Sequence, residues 1–149
     1  MPIAEMRPEE AAEFSRELDR LMHETLRFPE EAFRHFHRSE EDLRRHRGLL
    51  LAAREDGAIA GLLVGTAPEG GVATIVWVLV DPKRQRRHIG SKLMDEACRR
   101  YTEMSAHKVK LTVPDEQTVK FYEKQGLVVE GRHPNHWWKM DFWAMGKDL

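Results

Sequence analysis

The spacing of apolar positions changes at Gly48, dividing a helical first third from a strand-rich remainder. After a strand-like start at residues 3–7, Pro8, Glu9 and Glu10 supply the proline and acids of a helical first turn. Phe14, Leu18, Leu21, Met22 and Leu26 then recur every three or four residues, predicting an amphipathic helix that Phe28-Pro29 ends. A second helix is predicted from Glu30, burying Phe33 and Phe36, and a third short one after Ser39 as N-cap. Beyond Gly48, residues 49–54, 59–66 and 72–80 read as strands. Turn signals at Glu55-Asp56-Gly57 and Pro68-Glu69-Gly70-Gly71 make them an antiparallel meander. A helix over residues 89–104 follows, with Leu93, Met94, Ala97, Cys98, Tyr101 and Met104 facing inward. Residues 108–113 form a strand reached by a helical crossover, hence parallel to the one before. A helix at 115–125 stopped by Gly126, a strand at 127–130, a loop at 131–135 and a last strand over 137–145 complete the order. This predicts an α+β fold of three layers: a mixed, mostly antiparallel sheet of about six or seven strands with helices on both faces.

Composition narrows the picture. The 149 residues fit one domain spanning the whole chain, and 41% hydrophobic with 33% charged residues describes an ordinary globular protein. A formal net charge of −1 argues against nucleic acid or membrane surfaces as partners. The single cysteine, Cys98, excludes an internal disulfide, and its place on the inner stripe of a helix makes it core rather than nucleophile. No apolar run approaches a membrane span, and residues 1–6 lack a signal-peptide pattern, so a reducing, cytoplasmic setting is expected.

Residues 81–93 carry the chemistry. Asp81-Pro82-Lys83-Arg84-Gln85-Arg86-Arg87-His88 joins a β-branched strand to the helix that opens at Ile89-Gly90-Ser91. Free N–H groups and the positive end of the helix dipole favour an anion there, and guanidinium groups add to it. Gly90 allows close approach of the backbone to a ligand. A solvated basic turn or a nucleic-acid patch is the alternative, but the strand before and the helix after favour a pyrophosphate.

Three segments resemble the GNAT superfamily of acyl-CoA-dependent N-acetyltransferases. Residues 85–90 (Gln-Arg-Arg-His-Ile-Gly) are similar to its pyrophosphate loop, residues 118–127 to its Phe-Tyr-x-Lys-x-Gly helix ending, and residues 145–149 to its final strand. The resemblance spans the chain and is most specific over residues 72–127. It implies acetyl-CoA as co-substrate, with backbone N–H groups of Gln85, Arg86, Arg87, His88, Ile89, Gly90 and Ser91 on the pyrophosphate and Arg86, Arg87 and Lys92 near the phosphates. It further implies pantetheine amides pairing with the strand around Leu79 and Val80, and an N–H near Val80 polarising the thioester. Tyr122 would protonate the departing thiolate as a primary amine attacks directly in a ternary complex.

Several positions differ from the family pattern. His88 replaces its first glycine, so an extended or helical backbone is expected there. Asp115 stands in place of an asparagine, and Trp77 in place of a glutamate that acts as general base. His23, Glu24, His133 and His136 are open alternatives for the base, none fixed by a motif. Tyr122 can also be read as a core aromatic. The histidine spacings suit loops better than a metal site, and no metal is expected. His136-Trp137-Trp138 can line an acceptor pocket, but alternation favours a strand packed in the core or at a homodimer contact. The leading expectation is an N-acetyltransferase acting on a small-molecule or peptide amine. A non-catalytic acyl-CoA sensor and a nucleic-acid-binding domain are its rivals.

Overall fold

The computed structural model describes residues 2–46 and 48–149, with Gln85 and Arg86 described by their backbone alone. Roles expected of those two side chains therefore lie outside the described residues. Seven strands, Ile3–Glu5 (β1), Leu49–Glu55 (β2), Ala58–Gly65 (β3), Val72–Val80 (β4), Lys108–Val113 (β5), Val128–His133 (β6) and Phe142–Asp148 (β7), form one sheet. Their order is β1-β2-β3-β4-β5-β7-β6, antiparallel throughout except for β4 beside β5. The helices are Ala11–Thr25 (α1), Glu40–Arg45 (α2), Ile89–Glu103 (α3) and Glu116–Lys124 (α4).

The three layers follow from two apolar faces. Phe14, Leu18, Leu21 and Met22 of α1 pack with Phe33 and Leu43 on the sheet face carrying Leu50, Leu62 and Leu79. On the other face, Ile89, Leu93, Met94, Ala97 and Tyr101 of α3 and Tyr122 of α4 meet Leu49, Leu51, Leu63, Val109 and Met145. Tyr101 is fully buried, and its hydroxyl donates to the Thr66 carbonyl at 2.8 Å, so its one polar group is satisfied. Arg54 on β2 clamps α1 through Glu10 at 2.9 Å and Glu13 at 2.6 Å. Ser39 caps α2 as expected, its Oγ accepting from the Asp42 amide at 3.1 Å.

Four expectations need correction. Glu30–Arg34 is a 3-10 turn, with Phe33 buried and Phe36 only half-buried. Met104 lies past the end of α3 and is exposed. The expected loop at 131–135 is mostly strand, because β6 pairs with β7 as far as His133 opposite Phe142. The expected strand over 137–145 begins only at Phe142; Trp137–Lys139 is a 3-10 turn. Side chain and backbone close that turn. The Asn135 amide donates to Asp141 Oδ1 at 2.8 Å, and the His136 amide to the Met140 carbonyl at 2.7 Å. Such closures override alternation, which measures only which face a residue would occupy if extended.

Candidate active site

The site is a fault line in the sheet. β4 and β5 pair only at Val72 with Lys108, Ala73 with Val109 and Thr74 with Lys110, and then diverge. Register with β3 shifts at the same place: Val64 faces Trp77 while Gly65 faces Ile75, leaving Val76 as the extra residue of a bulge. The bulge turns β4 away from β5 and opens a cleft of about 1520 Å³. Val76, which a continuous sheet would cover, is 44% exposed.

The strand wall of this cleft offers unpaired backbone. The Asp81 amide donates to the Ala60 carbonyl of β3 at 2.9 Å, and the Leu79 carbonyl turns the same way, towards Gly61. Alternation along β4 therefore directs the polar groups of Val78 and Val80 into the cleft. Of the two strand positions expected to meet the pantetheine arm, Val80 presents its backbone to the cleft. Leu79 spends its backbone on β3.

At the mouth stands the N-terminus of α3. His88 adopts φ 56° and ψ 31°, a left-handed conformation. The expected extended or helical backbone is corrected: histidine takes the conformation that glycine would supply, as one of the residue types that tolerate it best. The Lys92 amide donates to the His88 carbonyl at 3.0 Å, which closes the first turn and leaves the amides of Ile89, Gly90 and Ser91 without helical acceptors. Among the described residues no side chain caps them, and the first turn carries no acid. This donor set fits a phosphate, since three amides and the helix dipole point one way.

Neighbouring contacts fix the turn. A Cβ on Gly90 would lie 3.1 Å from Phe121 Cζ and 3.6 Å from Val80 Cγ2, so glycine lets α3 start hard against α4 and β4. Ser91 Oγ accepts from Gln125 Nε2 at 2.8 Å, tying the two helices at the cleft edge. Ile89 is fully buried and anchors the turn in the core. Arg87 is exposed and its guanidinium pairs with Glu55, which also accepts from Arg84 at 2.8 Å. The pairing holds the Glu55 carboxyl below its ordinary range. Lys92 is exposed and is not among the residues bordering the cleft.

Tyr122 borders the cleft and also belongs to the core, at 6% exposure. Its ring packs edge-on against Phe121 at 4.9 Å. Its hydroxyl finds no hydrogen-bond partner among the described residues, and no buried side-chain oxygen is left unsatisfied there, so the oxygen opens to the cleft. Burial raises the phenol above its ordinary pKa and keeps it protonated. Cys98 is half-buried against the core, and burial likewise raises its thiol.

The residues weighed as bases separate. His133 borders the cleft, stacked on His136 at 4.8 Å. His23 stacks on Phe33 at 4.3 Å, and Glu24 accepts from Arg20 at 3.0 Å on the helix surface. Trp77 lines the cleft and packs edge-on against Phe36 at 4.9 Å. Asp115 caps α4, accepting from the Thr118 amide at 2.7 Å. His35 also reaches the cleft, its ring 5.1 Å from that of Trp138. It lies in an irregular segment where no periodicity marks an inward face.

Trp137 and Trp138 line the cleft, which corrects their expected place on a strand. Trp138 and Lys139 both hold positive φ, 57° and 62°, as does Asn135 at 47°. Consecutive left-handed residues with side chains store strain; backbone bonds between His136 and Met140 close their turn, and Asp141 ties down its start by accepting from the Asn135 amide and from Arg132. Those two bonds, the amide's first, lower the Asp141 carboxyl below its ordinary value. Among the described residues no group of three or more His, Cys, Asp or Glu side chains converges as metal ligands would, and no helix is long and apolar enough to cross a membrane.

An open cleft between splayed strands, with a phosphate-compatible helix start beside it, is thus the candidate site. Residues 8–127 match the family model for the acetyltransferase (GNAT) family, and the chain belongs to that family. Three solved structures share the fold. One is a GNAT-family acetyltransferase from Streptococcus pneumoniae, at 21% identity and TM-score 0.80, covering 99% of this chain and 98% of that one. The second is an aminoglycoside 6'-N-acetyltransferase complexed with coenzyme A, at 17%, TM-score 0.77, with coverage of 99% and 97%. The third is the ribosomal-protein-S18-alanine N-acetyltransferase of Escherichia coli, at 17%, TM-score 0.77, with coverage of 99% and 93%. No curated protein sequence matches.

Proposed function

We propose that the whole chain, residues 1–149, is one cytoplasmic domain that transfers an acetyl group from acetyl-CoA to a primary amine of a small molecule or peptide. The observation that carries this is the coincidence of two features at one cleft: three amides at the start of α3 and the backbone of Val78 and Val80, neither of which finds a partner among the described residues. A diphosphate and an extended amide-bearing arm need those two features about one cofactor length apart.

Acetyl-CoA supplies a thioester whose acyl carbon accepts a nitrogen nucleophile. In this proposal the amides of Ile89, Gly90 and Ser91 bind its diphosphate, and the Val80 amide donates to the thioester oxygen as charge develops there. The amine attacks directly; its C–N bond forms as the C–S bond breaks, and Tyr122 gives its proton to the leaving sulfur. The amine's own proton leaves through water, and no side chain is assigned as base. Tyr122 is reprotonated from solvent.

Thermal shift with acetyl-CoA and thiol release with an amine panel test this together. Stabilisation plus amine-dependent thiol release is expected. Stabilisation without release from any amine favours the sensor alternative, and no stabilisation ends both. Two variants sharpen the test. Because Glu55 already holds the Arg87 guanidinium, Arg87→Ala is expected to weaken acetyl-CoA binding less than about tenfold by calorimetry, the scale of one exposed charge contact. Asp141→Ala should raise the acceptor KM about tenfold while the acetyl-CoA Kd stays constant, since only the tryptophan turn loses its clamp. The Asp141 contribution exists above the ordinary carboxylate range and fades only as pH falls through its depressed value. Acceptor KM should therefore be insensitive to this group at neutral pH.

A further inference from the structure

The acceptor end of the cleft is built from rings. Trp77 meets Phe36 at 4.9 Å, Phe36 meets Phe28 at 5.6 Å, and Phe28 lies parallel to Phe142 at 6.2 Å. Phe142 meets Trp137 edge-on at 5.3 Å. These five side chains all border the cleft, and they bridge its two walls, from the segment after α1 to β7. Trp138 and His35 form a second, shorter pair beside them.

Charge at the same surface is informative. Among the described residues bordering the cleft, the only carboxylates are Asp115 and Glu130. Asp115 is committed to capping α4, and Glu130 accepts from Lys108 Nζ at 2.6 Å. Arg27, Lys110 and Lys124 border it too. A polyamine or an aminoglycoside carries several ammonium groups and would find no free countercharge. A single ammonium on an apolar body finds ring faces, which attract cations and stack with aromatic groups.

We infer that the acceptor of this enzyme is a small arylalkylamine, a primary amine on a short alkyl link to an aromatic ring, held by Phe28, Phe36, Trp77, Trp137 and Phe142. The inference deepens the transferase reading and rests on it for the chemistry, though not for binding. The left-handed turn at Trp138 and Lys139 serves it directly, by presenting tryptophans to the cleft where a continued strand would have sent alternate side chains to opposite faces.

Two measurements on the full chain test this. Thiol release from acetyl-CoA is compared for 2-phenylethylamine, tryptamine, spermidine, kanamycin and a peptide with N-terminal alanine. The two aryl amines should show kcat/KM at least about tenfold above the other three. Preference for spermidine, kanamycin or the peptide overturns the inference and leaves the transferase reading standing. Calorimetry with 2-phenylethylamine on CoA-saturated protein reads binding without turnover. Saturable binding is expected, weakened about tenfold in Trp137→Ala, a half-exposed residue outside the core, with CoA affinity unchanged. Absence of saturable binding to the wild type, or an unchanged Kd in the variant, overturns it. Binding without thiol release from any amine refutes the transferase reading alone.

Discussion

Tyr122→Phe is expected to lower kcat about a hundredfold or more while acetyl-CoA Kd changes by less than about twofold, the general-acid range. The substitution removes one oxygen and leaves the ring, which packs against Phe121 and the core around Met145. No partner among the described residues is left unsatisfied by its loss, so folding stability should hold. In the proposed role, what disappears is the proton donated to the departing thiolate. Burial raises the Tyr122 phenol above its ordinary value, so the acid is fully protonated across the working range. The neutral form contributes to stability below the unfolded phenol pKa, and that contribution is lost only as pH rises beyond it. Hence kcat of the wild type should show no descending limb from Tyr122 below pH of about 10. Single-turnover measurements on both proteins, with thiol release followed directly, separate this from product release. An unchanged kcat in the variant removes Tyr122 from the chemistry and returns it to the core.

The sequence announces most of this frame through local chemistry. Asp56-Gly57 turns a hairpin, Ser39 and Asp115 cap helices, and a parallel pair follows from a helix set between two strands. Those signals act within a few residues, and composition records them. What remained illegible acts over longer distances or in the backbone alone. The bulge at Val76, which opens the cleft, consumes no special residue type. Arg87 is basic in sequence, yet Glu55, thirty-two positions away, decides where its charge goes. The turn at Trp137–Lys139 depends on Asp141 reaching back to Asn135, so residues 137–141 read as strand from the sequence. His88 differs in kind. A single sequence shows that glycine is absent, while only coordinates show that glycine's conformation is kept. At the cleft, the helix start after residues 81–88 and the position of Tyr122 on α4 follow from motifs in the sequence. The aromatic wall was legible only around Trp137, weighed as acceptor-pocket lining; its other rings come from separate segments whose side chains meet only after folding.

Gly90→Glu should abolish measurable acetyl-CoA binding, a loss of at least about a hundredfold, or roughly 2.7 kcal/mol. The new side chain brings negative charge to the three amides proposed to bind the diphosphate, and its Cβ alone would crowd Phe121 at 3.1 Å. That crowding can also disturb folding, so the variant needs a companion in which charge and packing act in opposite directions. Ser91→Asp is that companion. A carboxylate in the first turn of α3 is favourable to the helix, because it meets the positive end of the dipole and amides that lack acceptors. It is unfavourable to a phosphate at the same place. The half-buried Ser91 gives up one bond from Gln125, which the new carboxylate can accept instead. Ser91→Asp is therefore expected to match or exceed the wild type in thermal stability and to lose about thirtyfold or more in acetyl-CoA affinity. Circular dichroism melting and calorimetry read the two quantities on the same sample. An anion held elsewhere in the cleft would leave the affinity intact while stability rose, and the diphosphate would then have to be moved away from the start of α3.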